Sequence, residues 1–333
     1  MTRENCATVD DEAPAPKPLR ADLQVTVSGL NDDIGLKLGQ ATANLVRAVA
    51  VNLDLSDVER VIITTNYTED LAAIDRGTKS GKGATATNND HGAGRAMALP
   101  VQRGEEWLTV VIVDAVLMLG LLSDDDVEQR RSAQTLIHEL AHAEDHKLMK
   151  SRWPGFLMPF DDEYELPLIA IVERARAEYF ATRVAASTLP QTGQDLVDML
   201  ATVVNDEPAR MKADVDDYQR HEDIGILWAQ VHSRVGFFMQ AAGYALGHWD
   251  GLADDDPTAI LMTEALKGLS ATNWGAFLPD LREAIADLAE TEAPWSGWAN
   301  YDPTVQVVIA LLNKMKVHPR RRGRNGLYIR IAS

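Results

Sequence analysis

The 333-residue sequence has little cysteine, few aromatic residues and no long uncharged apolar run. Its single cysteine, Cys6, cannot close an internal disulfide. The longest apolar stretch, residues 109–122, contains Asp114 and is shorter than the roughly 20 residues that cross a bilayer. The first residues also lack the basic-then-apolar order of a secretory signal. These absences predict a cytoplasmic protein without a membrane-spanning segment.

Basic side chains are also scarce, with 32 Lys and Arg against 50 Asp and Glu, a net charge of -18. Seven of the basic residues and no acidic residue lie in residues 303–333, so residues 1–302 carry 25 basic against 50 acidic side chains. An acidic surface repels nucleic acid and attracts cations or basic polypeptide. We expect a peptide or protein partner, and nucleic acid only at the basic C-terminal segment, where docking of the arginines on the acidic body is the favoured alternative.

The order of sequence patterns predicts an α+β protein. Residues 1–21 are rich in Asp, Glu and Pro and are expected to form a mobile tail. Residues 22–190 follow, with residues 191–302 predicted as a helical lobe and residues 303–333 as the basic segment. Within the first of these regions, apolar alternation, β-branched runs and helical periodicity predict a small mixed or antiparallel sheet followed by long helices. The predicted strands are 23–27, 58–65, 96–101 and 107–113, and the predicted helices are 34–53, 69–74, 123–147 and 167–187.

The helix predicted over residues 123–147 contains His138-Glu-Leu-Ala-His142, an H-E-x-x-H motif. Residues four apart lie on one face of a helix, so both imidazoles reach one ion. Glu139 is turned by about 100° from His138 and reaches a water on that ion. Two neutral nitrogen ligands, an open coordination position and a carboxylate base are what a hydrolytic zinc site needs.

A third ligand is expected outside this helix. His146 continues the same face, but eight residues of helix rise about 12 Å, too far for an ion held by His138 and His142. The pattern H-E-x-x-H-x-x-G-x-x-H is also absent, because Asp145 replaces its glycine and Leu148 replaces its last histidine.

A glutamate on the helix predicted over residues 167–187 is the better third ligand. Both Glu173 and Glu178 lie there, and helical periodicity alone does not choose between them. Glu178 is followed by Ala181 and Ala185, a stripe of small residues that lets this helix lie close to the motif helix. We therefore favour Glu178 and expect Glu173 to form a surface ion pair.

Together, His138-Glu-Leu-Ala-His142 and Glu178-Tyr-Phe-Ala181 resemble the gluzincin zinc metallopeptidases, and among them are most similar to the ImmA/IrrE-like group. The resemblance covers about fifty residues. It implies a zincin-like catalytic region over residues 22–190, Zn²⁺ held by His138, His142 and Glu178, and Glu139 as general base. Thr182 stands where an Asp or Asn often supports a zinc-bound histidine in these families.

The resemblance further implies an oxyanion donor and an edge strand along which an extended peptide adds. The predicted strand 96–101 or 107–113 is the candidate edge. The candidate donors are Tyr179, Tyr218, His221 and His232, of which His221 is preferred.

Two alternatives complete the sequence-based interpretation. Residues 77–83 resemble a phosphate loop, but the spacing is one residue short and no Ser or Thr follows the lysine, so a plain loop is expected. The alternative to a peptidase is a non-catalytic regulatory or protein-binding module on a zincin scaffold.

Overall fold

The computed structural model describes residues 18–77, 83–86, 88–89, 92–153, 162–291 and 294–332. Residues 1–17 of the predicted N-terminal tail and the middle of the phosphate-loop-like segment lie outside these residues. Residues 18–21 of that tail are described, and Leu19 forms a β-bridge with Leu55, so this end of the predicted tail is attached to the body. The described part is α+β, with a small mixed sheet near the N-terminus followed by a mainly helical part, which confirms the predicted fold class.

Strand and helix bounds agree with the sequence patterns to within a few residues. The strands are β1 (Gln24–Ser28), β2 (Val58–Thr64), β3 (Asn88–Asn89), β4 (Gly92–Ala93), β5 (Ala96–Arg103), β6 (Glu106–Asp114), β7 (Val317–Arg322) and β8 (Gly326–Ile331). The helices are α1 (Asp32–Val49), α2 (Tyr67–Ala73), α3 (Ala115–Met118), α4 (Asp126–Arg152), α5 (Glu165–Ala185), α6 (Thr192–His221), α7 (Ile224–Asp250), α8 (Pro257–Leu269), α9 (Leu278–Glu290) and α10 (Asp302–Lys314).

The main sheet has the strand order β1-β2-β6-β5. The first three strands are parallel, while β5 is antiparallel to β6 and forms one edge. Strand β6 is central and buried on both faces, which explains its nearly continuous apolar sequence. Its Val111 and Val113 pack toward α1 and α4, whereas Val110 and Ile112 pack toward α2. The sheet therefore lies between helices, with the edge strand β5 next to α4.

Helix α4 carries the H-E-x-x-H motif across the sheet. Its N-cap is Asp125, whose carboxylate accepts hydrogen bonds from the backbone N–H groups of Val127 and Glu128. The cap lies two residues beyond the predicted Ser123, because the Ser123 hydroxyl instead accepts from the N–H of Asp125. Acidic residues in the first turn and basic residues in the last turn both favour the helix dipole.

Helix α5 lies between α4 and α7, and small residues bring all three helices close together. Ala181 is fully buried in the core shared with α4, as the small-residue stripe predicted. On the other side, a Cβ added at Gly243 or Gly247 of α7 would lie only 2.4 or 2.3 Å from the carbonyl oxygens of Ala175 and Tyr179. Only glycine allows this backbone contact, which brings the middle of α5 against the C-terminal half of α7.

The remaining helices and the last two strands complete the molecule. Helices α5, α6, α7, α9 and α10 enclose the largest apolar core. Strands β7 and β8 form a separate two-stranded antiparallel sheet that packs on this core. Among the described helices, none combines the length and the apolar composition needed to span a membrane.

Candidate metal centre

Three side chains from α4 and α5 converge on one point. The Nε2 atoms of His138 and His142 lie 3.1 Å apart, and Glu178 Oε2 lies 3.2 and 3.3 Å from them. This group can hold a metal ion. The two histidines lie one helical turn apart on α4, and the close approach of α5 supplies the carboxylate.

The size of this triangle fits a small divalent cation. Tetrahedral zinc with bonds of about 2.1 Å holds its ligand atoms about 3.4 Å apart. The three observed distances, 3.1, 3.2 and 3.3 Å, approach that value. In addition, Glu178 Oε2 is buried and accepts no hydrogen bond from the described residues, although two ring nitrogens are near it. The donor atoms are thus arranged as ligands to a shared centre.

The pKa values of His142 and Glu178 show that this group of side chains favours a bound positive charge. Burial opposes protonation of His142, but the Glu178 carboxylate outweighs it and raises the pKa of His142 to about 9. Burial likewise opposes ionisation of Glu178, yet the two imidazoles hold its pKa well below the usual range. A metal ion supplies the same positive charge as the proton and competes with it.

A second layer of side chains orients these ligands. Gln240 of α7 donates a hydrogen bond of 2.9 Å from Nε2 to Glu178 Oε1, leaving Oε2 to face the histidines. The Thr182 hydroxyl lies 3.5 Å from His138 Nδ1, so threonine takes the place where related motifs carry Asp or Asn. The Tyr244 hydroxyl accepts a hydrogen bond of 3.3 Å from Gln240 Nε2 and lies beside the Glu178 carboxylate. Such partners fix ring orientation and tune metal affinity.

Glu139 lies beside the triad and against the edge strand. Its carboxylate is buried and lies near the backbone N–H of Ala98 on β5, which favours its ionised form. Burial raises the pKa of Glu139 above its usual value, although His138 and His142 partly offset this effect. A cleft of about 350 Å³ opens here, lined in part by Arg95, Ala96, Glu139, His138 and Tyr244. The predicted base, the predicted ligand His138 and the start of the edge strand therefore line one cleft.

Glu173, the alternative third ligand, belongs to a different cluster. Its carboxylate accepts hydrogen bonds from Arg176 and from the hydroxyl of Tyr301. The fully buried Arg176 also makes a bidentate pair with Asp145, three residues after His142. Glu173 forms an ion pair as predicted, but its partner Arg176 is buried, and the pair is not a surface one. The pair between Arg176 and Asp145 joins α5 to α4.

His146 is not a ligand in this arrangement. It lies one turn beyond His142, and its Nδ1 is 3.4 Å from the Thr109 hydroxyl on β6. Burial lowers its pKa to about 4, and the surrounding charges do not reverse this effect. The predicted helix ends at residue 147, but α4 continues to Arg152, so His146 lies more than one turn before the end of the helix.

The structure does not bring the predicted oxyanion donors to the triad. His221 is exposed at the end of α6, where its Nδ1 accepts from the N–H of Asp223. The intervening helix α7 rises by about 30 Å between its start and Tyr244. Tyr218 meets His221 edge to face at the same remote end.

The other two predicted donors are occupied elsewhere. The hydroxyl of Tyr179 donates to Asp250, on the side of α5 away from the triad. His232 contacts the carbonyl oxygen of Pro167 through Nε2.

A different hydroxyl-bearing residue, Tyr244, lies beside the triad. Its ring centroid is 5.9 Å from that of His138. Burial and the Glu178 carboxylate raise its pKa well above the usual value, so the hydroxyl keeps its proton. Sequence reasoning missed this residue, since no motif marks it. The sequence did offer one indication of its position: Gly243 and Gly247 lie four residues apart on either side of Tyr244, and this spacing indicates a close contact with another helix.

Comparison with protein-family models, with curated proteins and with solved structures found no match for this chain.

Proposed function

We propose that this chain is a zinc-dependent peptidase with a zincin-like catalytic region. One observation carries the proposal: the buried Glu139 carboxylate lies between a His/His/Glu triangle of metal-binding size and the backbone of an edge strand. A general base, ligands for a Lewis acid and a surface that pairs with an extended chain together suit peptide hydrolysis.

His138, His142 and Glu178 would hold the zinc ion. A site with two imidazoles and one carboxylate favours zinc over Mg²⁺ or Ca²⁺, which prefer oxygen ligands. Bound zinc would act as a Lewis acid toward water and toward a carbonyl group. Gln240 and Thr182 would fix the orientation of these ligands through their contacts with Glu178 Oε1 and His138 Nδ1.

Glu139 would act as the general base. Its carboxylate lies near the N–H of Ala98 at the foot of the cleft, within the same buried cluster as both histidines. In this role, Glu139 accepts a proton from the attacking water and passes it to the nitrogen of the leaving amine.

Strand β5 would bind the substrate backbone. The N–H of Gln102 donates to Arg76 rather than to β6, which shows that the even-numbered residues of β5 direct their backbone groups to the open edge. Ala96 and Pro100 have the same orientation. Their carbonyl groups, and the N–H of Ala96, are available to an added peptide strand next to Glu139. The side chains at 96 and 98 are small and leave room beside α4.

Tyr244 would stabilise negative charge on the carbonyl oxygen under attack. Its hydroxyl keeps its proton, and Tyr244 lines the cleft, so the hydroxyl can donate to the substrate oxygen. The gluzincin relationship is part of this proposal and is supported by the motif, the close approach of α4 and α5 and the position of Glu178 beside both histidines.

The test is the hydrolysis of a mixed peptide library by the zinc-loaded protein, with products read by mass spectrometry. We expect cleavage by the unmodified chain and by Glu128→Gln, a control on the exposed first turn of α4. Glu139→Gln should retain the metal and lose at least about 100-fold in rate. Undiminished cleavage by Glu139→Gln would refute the mechanism. Stoichiometric zinc with no cleavage by the unmodified chain would favour the non-catalytic binding module instead.

A further inference from the structure

The basic C-terminal segment forms a two-sided ribbon from β7 and β8. In its register, Val317 pairs with Ile331 and Pro319 with Ile329, and these four side chains face the large helical core. The alternate residues therefore lie on the outer face. They include His318 opposite Arg330, Arg320 opposite Tyr328, and Arg322 opposite Gly326.

The ribbon is fastened to the body rather than mobile. Arg321 turns inward, pairs with Asp162 at 2.6 Å and also contacts Glu165 at the start of α5. Its guanidinium lies over the ring of Tyr164, 4.8 Å from the centroid. The N–H of Ala332 further donates to the carbonyl of Lys316 at the base. Arg321 thus docks on the acidic body, as was expected from the sequence for all the arginines of the basic segment.

The other four ribbon arginines do not dock. Arg320, Arg322 and Arg330 are exposed on the outer face, and Arg324 is exposed at the tip. No ion pair or hydrogen bond from their guanidinium groups to another described residue is present. Tyr328 is 52% exposed among them. Three arginines on the outer face and one at the tip thus surround an exposed aromatic ring, in a chain whose net charge is -18.

We propose that this outer face binds single-stranded nucleic acid. Unpaired arginines contact phosphates and release counterions, which gives affinity without sequence preference. An exposed aromatic ring adds a platform on which one base stacks. The acidic remainder of the molecule repels a polyanion, so contact is confined to the ribbon.

Single strands fit this face better than duplex does. In a duplex the bases are already stacked, and Tyr328 would make no base contact. Residues two apart on a strand are about 6.7 Å apart. Arg330 therefore lies about this far from Tyr328 along β8, and Arg320 lies opposite Tyr328 on β7. An unstacked base and the phosphates that flank it can engage this arrangement together.

The number of arginines sets the expected salt dependence. For single strands, the slope of log affinity against log salt is about -0.7 per neutralised phosphate. Four contacts give a slope of about -3, so affinity should fall roughly 50-fold between 50 and 200 mM salt.

The experiment is fluorescence anisotropy of the full chain with labelled 20-nucleotide single-stranded DNA and RNA at several salt concentrations. We expect micromolar binding at 50 mM salt with the slope above. Replacing Arg320, Arg322, Arg324 and Arg330 by Gln should abolish the binding and its salt dependence. Tyr328→Ala should weaken binding about 5- to 150-fold, and Tyr328→Phe should restore it.

A second quadruple variant controls for net charge. It carries Gln in place of four exposed cations outside the ribbon and should bind like the unmodified chain; the sites are Lys37, Arg131, Lys212 and Arg220. Equal losses in both quadruple variants would overturn the proposal, as would unchanged binding in the ribbon variant. Tighter binding to duplex of the same sequence would contradict the single-strand assignment. Binding to phosphatidylserine vesicles but not to oligonucleotides would assign the ribbon to membranes instead.

Discussion

Replacing Arg176 by Met should destabilise the molecule more than any surface substitution. Arg176 is 0% exposed and donates to Asp145 at 2.7 and 2.6 Å and to Glu173 at 2.8 and 2.6 Å. Methionine fills much of the same volume but donates nothing. Asp145, 1% exposed, is then left as a buried carboxylate without its partner. The Glu173 carboxylate is destabilised less, because its side chain is 22% exposed and still accepts a hydrogen bond from the Tyr301 hydroxyl.

The expected loss follows from this difference. Removing one partner of a buried ion pair costs about 3–5 kcal/mol. Because Asp145 alone is stranded, we expect a loss of about 3–4 kcal/mol in the free energy of unfolding for Arg176→Met. Combining it with Asp145→Asn removes the stranded charge, so the double variant should be more stable than Arg176→Met by about 1–2 kcal/mol.

Urea unfolding at pH 7, followed by far-ultraviolet circular dichroism, measures these free energies. A loss below about 1 kcal/mol for Arg176→Met would refute the assigned role of the buried pair. So would strictly additive losses in the double variant, since additivity means that the two groups do not interact. A loosened α4–α5 contact should also weaken metal binding, because His142 lies three residues before Asp145 and Glu178 two residues after Arg176.

Two further predictions concern the helix contacts around the triad. Gly247→Ala should lower the free energy of unfolding by about 1–3 kcal/mol, because the added Cβ would lie 2.3 Å from the backbone of Tyr179. Gly268→Ala should leave it unchanged or raise it by up to about 1 kcal/mol, because no atom lies within 4 Å of that Cβ. Chemical denaturation compares the two, and equal effects would contradict the close packing of α5 on α7. Thr182→Val should lower zinc affinity about 10- to 100-fold by removing the partner of His138 Nδ1, while Thr182→Ser should retain it. Competition with a zinc indicator measures this, and an unchanged affinity in the valine variant would rule out support by Thr182.

Local patterns predicted the residues of the candidate metal centre because local geometry brings them together. The four-residue spacing of His138 and His142 fixes their shared face on any helix. Glu178 was favoured through Ala181, and the buried contact of Ala181 with α4 confirms that argument. Alternation and β-branched runs likewise located the four strands of the main sheet.

Features that depend on distant pairing could not be obtained in this way. Parallel pairing of β1, β2 and β6 joins segments separated by whole helices, so the sequence left parallel and antiparallel order open. Tyr244 lies 66 positions after Glu178 and reaches it only because α7 packs on α5. His221 was preferred from its polar surroundings, yet the length of α7 keeps it far from the cleft. The split between one docked arginine and four free ones depends on the register of β7 with β8.

Metal content tests the central claim most directly. After dialysis against a weak chelator, elemental analysis should find about one zinc ion per chain in the unmodified protein and in Glu173→Gln. The same measurement should find almost none in His138→Ala and Glu178→Ala. Zinc retained in both of these variants, or no metal bound by the unmodified protein in zinc-supplemented buffer, would contradict the assignment of His138, His142 and Glu178 as the metal centre.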